Sequence, residues 1–437
     1  MPDELEARVM RKISWRILPF VMLLYLVSFL DRVNIGFAAF TMNKAIGLSP
    51  AAYGLGGGLF FIGYFLFEVP SNLILYRVGV RVWIARVMVT WGIVSACSAF
   101  VTGPHSFYTL RFLLGVAEAG FFPGIILYLS LWFPARYRAI AAAAFMAAAP
   151  LSTAVGSPIS GALMEIPRFA GLSNWQWLFL IEAAPAVVLG FVVLKFLTDK
   201  PEDAAYLAAE EREWLAWRLR SERTSAASMR GGELTSAWRA LCDLRVLVLS
   251  VIYLGTSAGL YTLGLWAPLI LRQYKFSSLE TGWINALPSV VAVLGMTLWA
   301  RHSDQTLERT WHVVIPCAAA CLGFIWAGST HTAMGVICAL VVVNVGISAA
   351  KAPLWAMAGT FMSGAGAAAG IAMINSVGNL GGFIGPYTIG WIKGKTGSYT
   401  GGLYVVGLTL ALSAVLTLLL SRKPAENAAM STYDESN

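Results

Sequence analysis

Apolar runs of about twenty residues recur from one end of this chain to the other, the length a helix needs to cross the hydrocarbon of a bilayer. Inside hydrocarbon no water satisfies peptide groups, so continuous runs of this length are read as membrane-spanning helices. The chain is 58% hydrophobic and only 12% charged over 437 residues. A soluble domain carries roughly 25% charged residues, so a set of soluble domains is excluded. A net charge of +8 could point to nucleic acid. Its basic residues, however, lie in short loops between the runs, where membrane orientation accounts for them, and no nucleic-acid partner is expected. Of the five cysteines, Cys97, Cys317, Cys321 and Cys338 lie in apolar runs, and no metal-ligand spacing links them to Cys242. The start, MPDELEARVMRKISWR, is polar and leads straight into a full-length span, so no cleavable signal peptide is expected.

Length and polar turns predict twelve spans, near 16–40, 52–76, 82–101, 107–132, 138–163, 175–197, 245–271, 281–300, 311–328, 333–357, 366–392 and 401–421. The fold class is therefore all-α and polytopic. A six-helix bundle over 1–197 and another over 245–437, with a short tail, flank a polar linker at 198–244. Leu and Trp spacing in the linker predicts an amphipathic helix lying on the membrane surface. Lys and Arg concentrate on one side: Arg8, Arg11, Lys12 and Arg16, then Arg77 and Arg81, Arg136 and Arg138, the linker, Arg301 and Arg309, and Arg422 and Lys423. By the positive-inside rule, both termini and the linker are cytoplasmic. The halves echo each other: Arg81-x-Trp83 follows span two and Arg309-x-Trp311 follows span eight. GSPISG in span five answers GPYTIG in span eleven. Paired six-span repeats around a central site are an architecture of alternating-access transporters.

Charges stand where charges are costly. Asp31 and Arg32 lie in the first apolar segment, and Arg111 and Glu118 in the fourth. Each costs roughly 2.5–3.5 kcal/mol at a bilayer centre even on the mild insertion scale. They must face one another or a wet cavity, which suggests a path for protons and an anionic solute. Arg111 and Glu118, seven residues apart, share one helix face about 10 Å apart along the axis. They either form part of a buried ion-pair network or act in transport. Asp31 and Arg32 are adjacent, so their side chains diverge by about 100°. One can face the centre and the other a neighbouring helix. A guanidinium suits a carboxylate because it binds it bidentately. Lys351, in span ten, either snorkels to the headgroups or supplies a second cation that suits a dicarboxylate. Asn375 and Asn379 share a face of span eleven and offer both donors and acceptors to hydroxyls, or pack helices. Tyr64 lies four residues before Glu68 in span two, as a buried tyrosine or a substrate contact. The glycine-rich segments 54–58 and 378–385 lack the Walker pattern and fit close helix packing.

LDRVNIG in span one, RFLLGVAEAGFFPG with YLSLWFP in span four, WQWLFLIEAAPAV entering span six and GNLGGFIGP in span eleven together resemble the major facilitator superfamily. More narrowly, they resemble its anion:cation symporters, which include bacterial tartrate, sugar-acid and phthalate transporters. The resemblance covers nearly the whole chain. It implies a proton-coupled importer of a small organic anion, a hydroxylated mono- or dicarboxylate such as tartrate or a sugar acid. It makes Asp31 and Glu118 the proton-coupling acids and Arg32 the substrate clamp. Arg111 attracts the anion or joins the pairing network, and Tyr64 and Asn375 touch substrate, with Asn379 better suited to packing. Arg77, Arg81, Asp304 and Arg309 belong to the gating loops. It further implies no cofactor beyond the proton gradient, no enzymatic activity, a monomer, and the bacterial inner membrane. An anion exchanger or facilitator on the same fold is the alternative, and a transport-like sensor a weaker one. Two departures stand out: Tyr76 replaces the usual Asp before Arg77, with Asp304 as a surviving acid in the second half, and Phe29 replaces a tyrosine found in some relatives.

Overall fold

The computed structural model describes residues 2–227, 242–361 and 364–434. Residues 228–241 of the expected linker lie outside the described residues. The described chain is helical throughout, with a single isolated bridge between Phe169 and Leu172. The helices run α1 Pro2–Ala45, α2 Pro50–Val78, α3 Val80–Cys97, α4 Pro104–Glu118, α5 Phe121–Trp132, α6 Ala135–Met146, α7 Ala148–Leu163 and α8 Asn174–Phe196. After α9, Ala209–Ala227, come α10 Leu244–Arg272, α11 Ser278–Thr306, α12 Thr310–Ser329, α13 Ala333–Phe361, α14 Gly364–Asn379, α15 Gly381–Thr396 and α16 Thr400–Asp434.

Eleven segments are long and apolar enough to cross a membrane, with α4–α5 and α6–α7 each forming one of them. The remaining predicted span, eleven, is the pair α14 and α15, interrupted at Leu380. Local chemistry sets several boundaries. The Ser173 amide donates to Gln176 Oε1 at 2.9 Å, which starts α8 with a capping box. Asp243 accepts from the Arg245 amide at 2.8 Å and caps α10. Gly120, at φ 87°, breaks the fourth span between α4 and α5. The freed Ala119 carbonyl accepts from Ser71 Oγ at 2.6 Å, and Ser71 in turn accepts from the Trp83 indole at 2.9 Å.

The chain forms two compact units. The first comprises Met1–Leu48, Leu59–Gly231 and Ser277–Ala286; the second comprises Ser49–Gly58, Gly232–Phe276 and Leu287–Asn437. In the first, α3 lies along α8, and α1 packs on α7 and α8. In the second, α12 packs on α13 and α16, and α10 on α14, α15 and α16. Leu249, Ile252, Val313, Cys317, Leu354 and Ile374 form part of the second unit's core.

The linker helix departs from expectation. Leu215, Ala216 and Leu219 of α9 are buried in protein, while Trp217 on the same helix is exposed. Ion pairs explain the docking. Glu211 pairs with Arg8 at 3.1 Å and Lys12 at 2.8 Å, and Glu222 pairs with Arg138 at 3.2 Å. Burial alone pushes the Glu211 carboxyl up, but Lys12, the Ala208 amide and Arg8 together hold it below its usual range. The first turns of α1 that carry Arg8 and Lys12 are helical, although the span was predicted to start only at residue 16. At 44 residues α1 is about 66 Å long, twice the hydrocarbon thickness, so it reaches well beyond the bilayer.

The close approach of α2 and α4 sets the wall of the candidate site. A Cβ on Gly115 would lie 1.9 Å from the Phe60 carbonyl oxygen, and one on Gly63 would lie 2.3 Å from that of Phe112. Backbone meets backbone here, so no side-chain rotation relieves the clash. In an open helix Gly→Ala stabilises by about 1 kcal/mol. At Gly115 the sign reverses: Gly115→Ala should destabilise the protein by about 1–3 kcal/mol, as overpacking does. Thermal unfolding in detergent checks this, and a melting temperature at or above wild type would contradict it.

Candidate functional site

Adjacent positions on α1 send Asp31 and Arg32 in different directions, as their divergence requires. Arg32 points to α4. Its Nε donates to Glu118 Oε1 at 3.0 Å and its Nη2 to the same oxygen at 2.5 Å. Ser28, one turn earlier on α1, adds a third donor at 2.7 Å. Glu118 is fully buried, and its second oxygen, Oε2, has no hydrogen-bond partner. One face of this carboxylate is thus saturated by a cation and a hydroxyl, while the other is bare.

Aromatic rings enclose the guanidinium. Its carbon lies 5.2 Å from the ring centroids of Phe29 and Phe60 and 5.5 Å from that of Tyr64. Phe29 therefore offers a ring face to the cation. Arg111 is also buried, with its guanidinium 5.2 Å from the Phe60 centroid. Phe60 thus contacts both arginines. The Gly63–Gly115 approach fixes this layout by bringing α2, with Phe60 and Tyr64, against α4, with Arg111 and Glu118.

Asp31 turns to α3. Its carboxyl accepts from the Trp91 indole at 2.7 Å, from Ser95 Oγ at 2.7 Å and from the Asn34 amide at 3.3 Å. All three donors are neutral. A further acid lies in the same region and was not singled out from the sequence. Glu182 on α8 is 3% exposed and accepts from Ser160 Oγ of α7 at 2.7 Å. It stands inside the quoted WQWLFLIEAAPAV stretch, and its signal was available: an acid in an apolar span is functional by default.

In the second unit, Lys351 is half-buried on α13 and makes no hydrogen bond or ion pair among the described residues. Asn379 on α14 faces Tyr261 of α10, whose hydroxyl lies 3.5 Å from its oxygen, and Asn375, one turn earlier, is half-buried. In the loops, Asp304 pairs with Arg309 at 2.7 Å, and Ser303 also accepts from Arg309, at 2.8 Å. Arg81 finds its acid in Asp199, which accepts the Arg81 amide at 3.0 Å and approaches its Nε at 3.4 Å. A sequence lacking the usual Asp before Arg77 thus supplies a carboxylate to this loop from beyond α8. Arg77 itself is exposed.

The sequence profile of the Major Facilitator Superfamily matches residues 21–386. A protein of Agrobacterium vitis, "Putative tartrate transporter", is 62% identical over 96% of this chain and 93% of its own length. A "Quinolone resistance transporter" of Acinetobacter baumannii is 38% identical over 96% of each chain. Among solved structures, a bacterial homologue of the human lysosomal transporter Spinster, in an inward-facing and unoccupied conformation, superposes with a TM-score of 0.75 at 17% identity. It covers 93% of this chain and 96% of its own. This chain belongs to the major facilitator superfamily. It is a multi-pass membrane transporter and not an enzyme.

The Arg32–Glu118 contact makes a stability prediction. Arg32→Ala strands a buried carboxylate, a loss of about 3–5 kcal/mol when one partner of a buried pair is removed. Adding Glu118→Gln removes the stranded charge, so the double variant should recover most of that loss. The two melting temperatures decide the point: a double variant no more stable than Arg32→Ala alone would mean the pair is not coupled.

Proposed function

We propose that this transporter is a proton-coupled importer of a small hydroxylated carboxylate, with tartrate the first candidate. The observation that carries the reading is the arrangement of Glu118, held on one oxygen by Arg32 and bare on the other. A guanidinium beside a carboxyl favours its ionised form, whereas low-dielectric surroundings favour the protonated one. While Arg32 engages Glu118, the guanidinium supplies the counter-charge of the carboxylate. An arriving substrate carboxylate competes for the same guanidinium, which can bind it bidentately. Glu118 loses its counter-charge and takes a proton on Oε2. Proton and anion load together, and release of the anion returns Arg32 to Glu118 and expels the proton.

The tartrate-named relative at 62% identity supports the substrate class. The aromatic rings around Arg32 give a hydroxylated acid apolar walls, and Tyr64 offers a hydroxyl group for its hydroxyls. On this reading the proton gradient is the energy source, no cofactor is needed, and the protein works as a monomer. It resides in a bacterial inner membrane with both termini cytoplasmic, as the Lys and Arg distribution requires.

Proton uptake by the purified transporter on addition of tartrate tests the coupling: symport requires a pH change, and exchange of anions does not. Glu118→Gln sharpens the test, because its amide stands in for the protonated acid. Counterflow of labelled tartrate should persist while accumulation driven by a pH gradient is lost. Gradient-driven accumulation at wild-type levels would remove Glu118 from the coupling role.

Lys351 bears on the number of carboxylates. A dicarboxylate brings a second negative charge, and Lys351 is a half-buried cation that makes no hydrogen bond or ion pair among the described residues. Lys351→Gln should weaken tartrate binding by about 1.5–3 kcal/mol, the range for a hydrogen bond to a charged group, and glycerate binding far less. Equilibrium binding of the matched diacid and monoacid to both proteins measures this. Equal losses, or none, would leave a monocarboxylate as the substrate class.

A further inference from the structure

We propose that a groove along the first half of α1 binds an anionic glycerophospholipid of the surrounding bilayer, with its phosphate on Arg16 and an acyl chain along Phe20 and Leu23. The groove lies within the first unit, about 24 Å along α1 from Arg32, and its role is independent of which anion is carried.

The groove holds about 680 Å³ between α1, the end of α8 and Tyr206 of the linker. A water takes about 30 Å³ of liquid, so there is room for about twenty waters, far more than a bare phosphate fills. Lys12, Trp15, Arg16, Phe20 and Leu23 stand at spacings that put them on one face of α1. Their chemistry is graded along the helix: charges first, then a ring, then an aliphatic side chain. Trp15 is 78% exposed at the mouth of an apolar span, the position of an interfacial anchor. Leu23, deeper in the span, is 43% exposed. From Arg16 to Leu23 the helix rises about 10 Å, more than the roughly 5–7 Å of headgroup region in one leaflet. A phosphate at Arg16 therefore places Leu23 beside acyl chain.

The charges select the ligand. Lys12 donates to both oxygens of Glu211, at 2.8 and 2.9 Å, and Glu211 also meets Arg8 and the Ala208 amide. The acid at this end of α1 is thus taken. Arg16 makes no hydrogen bond or ion pair among the described residues, and its Nε is buried without a partner. What holds it is aromatic: its guanidinium carbon lies 4.3 Å from the Phe196 ring centroid and 4.7 Å from that of Tyr206. Ring faces attract the charge but leave its in-plane N–H donors unanswered, which is costly away from water. A phosphate diester supplies the negative charge and the paired oxygens that a guanidinium matches. Basic pockets between spans on the side rich in Lys and Arg suit such headgroups. The apolar continuation favours a lipid over a free anion: Phe20 packs on Phe196 at 4.3 Å between centroids, and Leu23 extends the same wall. A zwitterionic lipid brings its own cation to its phosphate, so an anionic one gains more from Arg16.

Native mass spectrometry of the purified full-length chain, offered equal phosphatidylglycerol and phosphatidylcholine, reads the site directly. The wild type should retain phosphatidylglycerol in preference. Arg16→Gln should lower that retention about tenfold, the loss of one charge-assisted hydrogen bond. Arg136→Gln, which removes an exposed charge on α6, should leave it unchanged. Phosphatidylglycerol carrying a photoreactive group on its acyl chain should label the wild type beside Phe20, Leu23 or Phe196, which keeps the test decisive even if Arg16→Gln is not recovered. Excess inorganic phosphate should not prevent the labelling. Equal retention of the two lipids, retention unchanged in Arg16→Gln or equally reduced in Arg136→Gln, labelling outside the groove, or its loss to inorganic phosphate would overturn the proposal.

Discussion

The pairing of Arg32 with Glu118 is the contact around which the first unit is organised. A bilayer gives an ionised side chain no water, so each charge in a span needs a partner carried by another span. Here a single carboxylate oxygen collects a guanidinium and a hydroxyl from one face of α1. The geometry joins α1 to α4 and leaves the second oxygen bare. The same pair thus stabilises the helix packing and leaves one carboxylate oxygen without a partner. The rings of Phe29, Phe60 and Tyr64 deepen this dependence, since they surround the cation with π-faces in place of water.

The acids divide into two environments. Glu118 is answered by a formal charge. Asp31 is answered by an indole, a hydroxyl and an amide. That contrast ties Glu118 to α1 through a charge and Asp31 to α3 through neutral donors.

Much of the fold was legible because hydrocarbon imposes a length on every span and a penalty on every charge. Run length located the spans, and the adjacency of Asp31 and Arg32 anticipated their divergence. What escaped depends on contacts between distant segments. The burial of α9 could not be read from its amphipathic spacing, because that spacing suits a protein surface as well as a lipid one. Its docking depends on Glu211 meeting Arg8 and Lys12. The acid for Arg81 comes from Asp199, more than a hundred residues away, where no local motif points. Glu182 was passed over although its placement in an apolar run carried the same warning as Glu118. Its hydrogen-bond partner, Ser160, comes from another helix.

The glycine contact between α2 and α4 bears on how the transporter could acquire new substrates. At Gly63 and Gly115 the two backbones already touch, so the wall carrying Phe60, Tyr64, Arg111 and Glu118 cannot widen or narrow by sliding one helix on the other. A change in the shape of this wall must therefore come from its side chains, with the spacing between the helices held constant. Adaptation here is confined to exchanging residues on a fixed lattice, which makes drift in specificity stepwise, one side chain at a time.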